Sequence, residues 1–470
     1  MAAHPQDLRR LAYADPMAFP VLFDSAASGP LGRYSILPAY PEAALWQDGY
    51  GRLQGWGLTK PIAAERGFLS ALEELWRGSA SPAASAADEM LSGPFQGGWV
   101  VYLGYELSAE IEPKLGLPSL PPERSLPPSS APRAFALRVP AAMVYDHLED
   151  RAWTVVEPGR EALQHRLRRD LATAADLPGA ELPDAVLDSL RLEEEDPQRF
   201  AACVAAALEH IRAGDIYQAN LSRRWYAALD PALASTARGL AGRTLYERLR
   251  RLNPAPFAAL ARFQGWQLLC SSPERLVRVS GSRVETRPIA GTRPRSRSAD
   301  ADSGELAALI AHPKERAEHI MLVDLERNDL GRICRPGSVR ADELMCTESY
   351  AHVHHIVSNV CGELGHGLTP VDVLRAVFPG GSITGCPKFR CMQIITALEG
   401  EVRGAYTGAL GFINHNGSMD FNILIRTITM DAQALDFRAG AGIVADSDWR
   451  LELQETRAKA RGLIAALQRP

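Results

Sequence analysis

No apolar run in this sequence approaches the roughly 18 residues of a membrane-spanning helix. The opening M-A-A-H-P-Q-D-L-R-R lacks the apolar core of a secretory signal, so a cytoplasmic location is expected. Neither charge sign is in large excess. Lys and Arg number 51 against 56 Asp and Glu, a formal net charge of −5, which leaves no basic footprint for nucleic acid. Cysteine is sparse: seven in 470 residues, odd in number and without paired spacing. Reduced thiols are expected rather than a disulfide framework. No C-x-x-C occurs, which argues against a structural zinc site, and no solenoid repeat is visible. What remains, 46% hydrophobic and 23% charged, fits an ordinary globular protein with two or three domains or one large core.

Two stretches have the composition of surface connectors. Residues 112–133 are proline-dense, with Pro121-Pro122 and Pro127-Pro128, and 174–197 mix alanine, proline and acids. After the second, Asp196-Pro197 is a helix start: a capping side chain followed by proline in the first turn. Phe200, Val204, Leu208 and Ile211 then form an apolar stripe, and Ala213-Gly214-Asp215 ends it. Short strands are expected at 258–262, 267–271 and 276–279, and later at 407–413, 419–430 and 435–445, before a helix over 449–468. The pattern is mixed α and β and is not a regular βαβ series.

Residues 378–390, F-P-G-G-S-I-T-G-C-P-K-F-R, are the densest functional signal. Gly380, Gly381 and Gly385, the hydroxyls of Ser382 and Thr384, and Lys388 precede an apolar helix carrying Met392, Ile394, Ile395 and Leu398. Such a loop can turn backbone N–H groups toward an anion. The spacing departs from a nucleotide-binding loop, because Cys386-Pro387 follow Gly385 and Lys388 arrives two residues late. A plain strand-to-helix turn is the alternative.

Further candidates lie in apolar settings. In 419–430, period-two alternation puts Asn422, Leu424, Arg426 and Ile428 on one face, and Arg426 needs an anion from the protein or a ligand. Gly440 and Gly442 mark either close backbone approach to a ligand or a bulge. Glu318 lies in a helix after Pro313. Glu455 and Lys459, one turn apart, suit an exposed ion pair. Alternatively Glu318 and Glu455 face each other across a cleft and hold Mg²⁺. Of His354 and His355, one is expected to be structural and the other an acid or base.

In combination these segments resemble the chorismate-utilising enzymes, specifically component I of aminodeoxychorismate synthase and of anthranilate synthase. The resemblance rests on S-P-E-R (272–275), R-P-I-A-G-T-R-P-R (287–295), H-I-M-L-V-D-L-E-R-N-D-L-G-R (319–332), V-H-H-I-V-S (353–358), the 378–390 run, I-R-T (425–427), A-G-A-G-I-V-A-D-S (439–447) and Q-E-T-R-A-K-A-R (454–461). It covers 195–466 as a chorismate-binding catalytic region. P-F-Q-G-G-W-V-V-Y-L-G-Y (94–105) extends it more loosely to an N-terminal region, 1–180. The resemblance implies an α+β fold, two large antiparallel sheets packed as a sandwich with helices outside and the active site in the cleft between them.

It also implies roles. Glu318 and Glu455 would hold Mg²⁺. Arg426, Lys459 and the backbone of Gly440, Ala441 and Gly442 would hold the substrate's carboxylates, with Thr292, Gly381, Ser382, Thr384, Gly385 and Lys388 lining the same pocket. Glu274 would protonate the departing C4 hydroxyl, and His355 would sit beside the ring. Gln218 stands where water-adding relatives carry a lysine base, and a glutamine cannot take that proton. Amination is therefore expected, with ammonia from a separate amidotransferase subunit, since no G-x-C-x-G nucleophile motif occurs.

The loop sequence leans toward 4-amino-4-deoxychorismate, on the way to 4-aminobenzoate and folate. Ala290 leans toward anthranilate, because it occupies the place of a lysine nucleophile in well-studied aminodeoxychorismate synthases. A third reading is a non-catalytic subunit that binds tryptophan near Ser25 and Phe95, where the segment 23–34 would form one wall.

Overall fold

The computed structural model describes residues 4–27, 29, 31–58, 66–79, 93–117, 131–177, 187, 190–230, 233, 235–295, 298–349 and 353–468. Residues 118–130 of the first expected connector, and 178–186 and 188–189 of the second, lie outside the described residues.

Two 11-stranded antiparallel sheets form the frame. The first runs Gly385–Cys386, Gln218–Ala228, Ala434–Ile443, Thr427–Met430, Trp266–Ser272, Phe257–Phe263, Val21–Asp24, Tyr34–Ala39, Ala141–Asp146, Arg151–Val156, with Glu193–Glu194 added to Gln218–Ala228. The second runs Ile289–Pro294, Val353–Glu363, Arg283–Arg287, Arg275–Ser280, Met419–Ile423, Ala409–Asn414, Gly98–Leu103, Ala134–Val139, Ala43–Gln47, Leu53–Trp56, with Arg340–Ser349 added to Val353–Glu363. Early and late strands are neighbours in both. Val21 pairs with Ala261 and Trp99 with Ile413.

Strand alternation builds the layers. Leu268 and Cys270 face a buried cluster that also takes Val100, Tyr102 and Phe135 from the other sheet, whereas Leu269 faces helices outside. Between the sheets the Tyr102 and Trp266 rings lie 4.9 Å apart, and Phe135 stacks on Phe263 at 4.8 Å. Each such ring removes enough apolar surface to stabilise the fold by about 2–3 kcal/mol. Outside the first sheet pack the helices Pro5–Ala14, Ser235–Leu252 and Trp449–Leu467. Outside the second lie Phe68–Ser79, Pro313–Gly331 and Pro370–Val377. The sandwich with external helices agrees with the expected architecture. No helix among the described residues is long and apolar enough to cross a membrane.

The expected helix start at Asp196-Pro197 is present, with the Asp196 carboxylate accepting from Gln198 N at 2.9 Å at the head of Pro197–Arg212. The strand expected over 419–430 is not continuous. Met419–Ile423 belongs to the second sheet and Thr427–Met430 to the first. Leu424–Arg426 crosses between them, and Arg426 takes φ +49°, a left-handed conformation that ends any strand. The shared face expected for Asn422, Leu424, Arg426 and Ile428 is thereby broken.

Candidate functional site

The 378–390 loop is held from within. Gly381–Ile383 forms a short 3₁₀ turn. The Thr384 hydroxyl donates back to the carbonyls of Gly380 (3.0 Å) and Gly381 (3.2 Å), so it is spent inside the loop. Gly385 has φ +134°, and a Cβ there would fall 2.2 Å from Gln218 O. Only glycine lets Gly385–Cys386 pair with the start of Gln218–Ala228. The Lys388 ammonium donates to Pro379 O at 2.9 Å and Val377 O at 3.3 Å and pairs with Asp329. It ties the two ends of the loop to the helix Pro313–Gly331.

Ser382 points the other way and donates to Glu274 Oε1 at 2.6 Å. Glu274 follows the strand Trp266–Ser272 and is clamped by its backbone, with Ile423 N donating to Glu274 O at 3.0 Å. Its carboxyl is buried. Burial raises its pKa to about 7, against the opposing pull of Ser382, the Ile289 N–H, Lys459 and Arg426. A carboxyl in that range can hold a proton at neutrality and give it up.

Arg426 is half-buried by surface area, yet burial lowers its pKa in spite of the attraction of Glu274. Among the described residues no carboxylate lies within ion-pair distance of it. Of the two sources of an anion left open by the sequence, the described protein side chains do not supply one.

His355, on Val353–Glu363, is buried and bonds to the Gly291 backbone. Burial, then Arg426, pulls its pKa down to about 3, so the ring is neutral. His354 is fixed by Asp302 Oδ1 (3.0 Å) and Ser349 Oγ (2.7 Å), a structural histidine. Ala290 lies on Ile289–Pro294 opposite Ile356, and Thr292 opposite His355, with a register shift between them at Gly291, φ +75°. The Thr292 side chain lies outside the described residues.

Gly440, Ala441 and Gly442 sit in unbroken register with Ser222, Leu221 and Asn220, which removes the bulge reading. Lys459 Nζ donates to Gly440 O at 3.0 Å and also pairs with Glu455 Oε1 at 2.7 Å, both side chains nearly half exposed. One turn earlier Glu452 is buried and accepts from Ser447 Oγ at 2.7 Å. Glu318 is half-buried on Pro313–Gly331. No group of three or more His, Cys, Asp or Glu side chains among the described residues is placed to hold a metal. Ser25 Oγ donates to Tyr34 O at 2.7 Å and Pro256 O at 3.3 Å, and Phe95 is packed 5.5 Å from Phe412 in the inter-sheet core.

Two groups escaped sequence reasoning. Glu326 and Asp329, i and i+3 on Pro313–Gly331, are both buried. A Cβ on Gly381 would fall 3.0 Å from Glu326 Oε1, so Glu326 backs directly onto the loop. Burial, then the charge of Asp329, raises the Glu326 pKa, and the opposing pull of Lys388, which is paired with Asp329, does not offset it. The signal was two acids among Leu322, Val323, Leu325 and Leu330. A cavity of about 770 Å³ also opens behind the loop, walled by Leu325, Asp329, Phe378, Lys388 and Met392. Glu274, Arg426 and His355 do not line it.

The second polar centre is a closed network. Glu399 accepts from Ser222 N (2.8 Å) and Oγ (2.9 Å) and from Arg403 Nη2 (2.6 Å) and Nε (2.8 Å). Arg403 also donates to Asn220 O at 2.7 Å, and its own N–H and that of Gly404 cap Glu106. Burial pushes the Glu399 pKa up, but Arg403 outweighs it and holds the carboxyl below its usual range.

Two antiparallel sheets meet around a proton-holding carboxyl and an arginine with no carboxylate partner among the described residues, and the sequence matches one class over most of its length. Residues 41–465 fit the family described as chorismate binding enzyme, and the chain belongs to that family. Among relatives, it is 40% identical over 380 residues to the anthranilate synthase component I-like protein of Synechocystis sp., covering 80% of this chain and 73% of that one. It is 39% identical over 383 residues to aminodeoxychorismate synthase component 1 of Bacillus subtilis, covering 80% and 77%. Among solved structures, anthranilate synthase component I from Streptococcus pneumoniae superposes with a TM-score of 0.75 at 32% identity, covering 93% of each chain.

Proposed function

We propose that this protein aminates chorismate to 4-amino-4-deoxychorismate with ammonia supplied by a separate glutamine amidotransferase. The observation that carries the amination reading is the nearness of the buried acid Glu274 to Arg426, each acting on the other's charge without forming an ion pair. Glu274, with its pKa raised to about 7 and held by Ser382, keeps a protonated fraction near neutrality that can deliver a proton to a leaving hydroxyl. Arg426 has no carboxylate partner among the described residues and can take a substrate carboxylate. Glycines at 440 and 442 let backbone approach the ring, with Lys459 at Gly440 O adding positive charge. His355, neutral, can accept or donate one hydrogen bond without competing for the acid's proton. Gln218 leaves the site without a base that could deprotonate water. The component numbering in the relatives' names supports a second subunit.

The carboxylate donors Glu318 and Glu455 are of the oxygen type that Mg²⁺ takes, with waters and substrate oxygens completing its shell. Bound there, the ion would neutralise a substrate carboxylate.

The loop sequence P-G-G-S-I-T-G favours the 4-amino product. Ala290, buried and without a nucleophile, favours a second reading, anthranilate synthase component I, in which ammonia enters the ring directly. Incubation with chorismate, Mg²⁺ and ammonium decides. Conversion to 4-aminobenzoate only after a lyase is added is expected, and anthranilate with pyruvate would establish the second reading instead. Ser25 and Phe95, with the Ser25 hydroxyl turned onto backbone carbonyls, would frame a tryptophan site that isothermal titration with tryptophan tests directly.

A further inference from the structure

Lys388 opens the helix Lys388–Glu399, directly after the loop, yet its side chain turns back along the chain. Its ammonium donates to Pro379 O at 2.9 Å and Val377 O at 3.3 Å and pairs with Asp329. An ammonium has three N–H groups and no acceptor, so these three partners use its whole capacity. Val377 is the last residue of the helix Pro370–Val377, whose C-terminal carbonyls favour a cation. No N–H of Lys388 is then left for a substrate carboxylate. The lysine instead lines the cavity behind the loop, which Glu274, Arg426 and His355 do not line.

From that anchor the loop has little slack as far as the acid. A Cβ on Gly380 would fall 2.8 Å from Ile423 Cδ1, and one on Gly381 would fall 2.7 Å from Leu325 Cδ2. The Thr384 hydroxyl closes the turn on the carbonyls of Gly380 and Gly381. Ser382, inside that turn, donates to Glu274 Oε1 at 2.6 Å. Lys388 holds the entry and the exit of this segment together, so a shift at the anchor reaches the Ser382 hydroxyl. The other charged groups acting on Glu274 are Lys459 and Arg426, which favour its ionised form, and Glu326, which interacts with it from the helix Pro313–Gly331. Lys388 itself acts on Asp329 and on Glu326.

We propose that Lys388 is a positioning residue for the acid: it pins Val377, Pro379 and Asp329 so that the loop keeps the Ser382 hydroxyl on Glu274, and it touches no substrate. This rests on the reading of Glu274 as the proton donor and not on which product forms. Because Oε1 accepts from Ser382, the transferable proton sits on Oε2, so the hydroxyl aims the acid. The same bond favours the ionised carboxyl and so tunes how readily the proton leaves. Lys388 acts one step further back, through the place it gives Ser382.

The test is the pH dependence of steady-state amination by the purified full chain with chorismate, Mg²⁺ and ammonium chloride. Lys388→Met keeps the aliphatic stem and removes the ammonium. It is expected to move the alkaline limb of kcat upward as far as Ser382→Ala does, by less than about one pH unit, with the chorismate KM within about twofold. The double variant Lys388→Met/Ser382→Ala is expected to match Ser382→Ala alone, because the lysine then has nothing left to act through. An unmoved limb in Lys388→Met overturns the proposal and leaves the lysine a structural tie. A further shift in the double variant overturns it too, since the ammonium would then act on the acid by its charge. So does a chorismate KM raised about tenfold, which would make Lys388 a substrate contact. If Lys388→Met does not fold, Lys388→Met/Asp329→Asn, which also removes the carboxylate left behind, is read in the same way. Glu274→Gln separates this proposal from the reading beneath it. If Glu274→Gln keeps the wild-type kcat and limb, the acid assignment itself fails. If it loses the limb while Lys388→Met leaves the limb in place, only the positioning fails.

Discussion

Glu274 and Glu399 are each 5% exposed, in one sandwich, and their pKa values move in opposite directions. Glu399 is ionised because Arg403 grips both of its oxygens and Ser222 adds two more donors. Glu274 has one hydroxyl and one backbone N–H, and its nearest cations act only at a distance, so burial prevails and raises its pKa to about 7. The Glu399–Arg403 pair is closed, each charge meeting its opposite within the protein. The Glu274 group is open, with Arg426 lacking a carboxylate among the described residues. A closed network holds the fold, whereas an open one has its electrostatics finished by a ligand.

The sharpest way to break this contrast is to exchange its arginines. Arg403→Met should strand the buried Glu399 charge and cost about 3–5 kcal/mol of stability, read as a large fall in the denaturant midpoint. Arg426→Met should leave the midpoint within about 1 kcal/mol of wild type and lower kcat/KM for chorismate about a hundredfold or more. Equal stability losses in the two variants would erase the distinction. Next in size, Glu274→Gln should lower kcat about a hundredfold or more while leaving chorismate affinity nearly intact. Glu318→Ala and Glu455→Ala should each raise the Mg²⁺ concentration needed for half-maximal rate about tenfold, and unchanged Mg²⁺ dependence would remove them as ligands.

The pH dependence separates the two carboxyls again. Glu274 has a folded pKa of about 7, above its unfolded value, so the folded protein holds the extra proton in between. Its contribution to stability is complete at low pH and is lost as pH rises toward 7, and Glu326, also shifted up, adds to that loss. Glu399 is shifted down, so its contribution is present at neutral pH and lost only on acidification. Above about pH 6.5, where the opposing rise from neutral buried His355 is complete, denaturant midpoints should fall toward pH 8 for wild type and flatten in part for Glu274→Gln. The smallest effect is expected from Ser382→Ala. Losing the hydrogen bond that favours the ionised form should move the alkaline limb of kcat upward by less than about one pH unit.

The closed parts of the molecule were the more legible in sequence. The cap at Asp196, the strands around 257–280 and the glycines at 380–385 follow from local chemistry, and the structure places them as expected. The open site was legible as a set of residues but not as an arrangement. Alternation alone ran a strand through Arg426, because a left-handed arginine leaves no mark in a hydrophobic pattern. Lys388 read as a cation free for a ligand, and its bond to Asp329 joins segments far apart in the chain. Glu326 was silent for the same reason, since its proton depends on which neighbour Lys388 has already chosen. Period and propensity report one segment at a time, whereas charge states are properties of an assembled neighbourhood.

The interleaving of early and late strands has a consequence for biosynthesis. While the chain emerges, Val21–Asp24 waits for Phe257–Phe263, and Gly98–Leu103 waits for Ala409–Asn414. Until then each presents an unpaired edge able to pair with the wrong strand, and contacts so distant in sequence form slowly. The second sheet is complete only once residue 423 has been made, and the first only at residue 443. A nascent chain of this protein is thus exposed to misassembly for nearly the whole of its synthesis, and a transcript cut short yields neither a functional half nor a stable one.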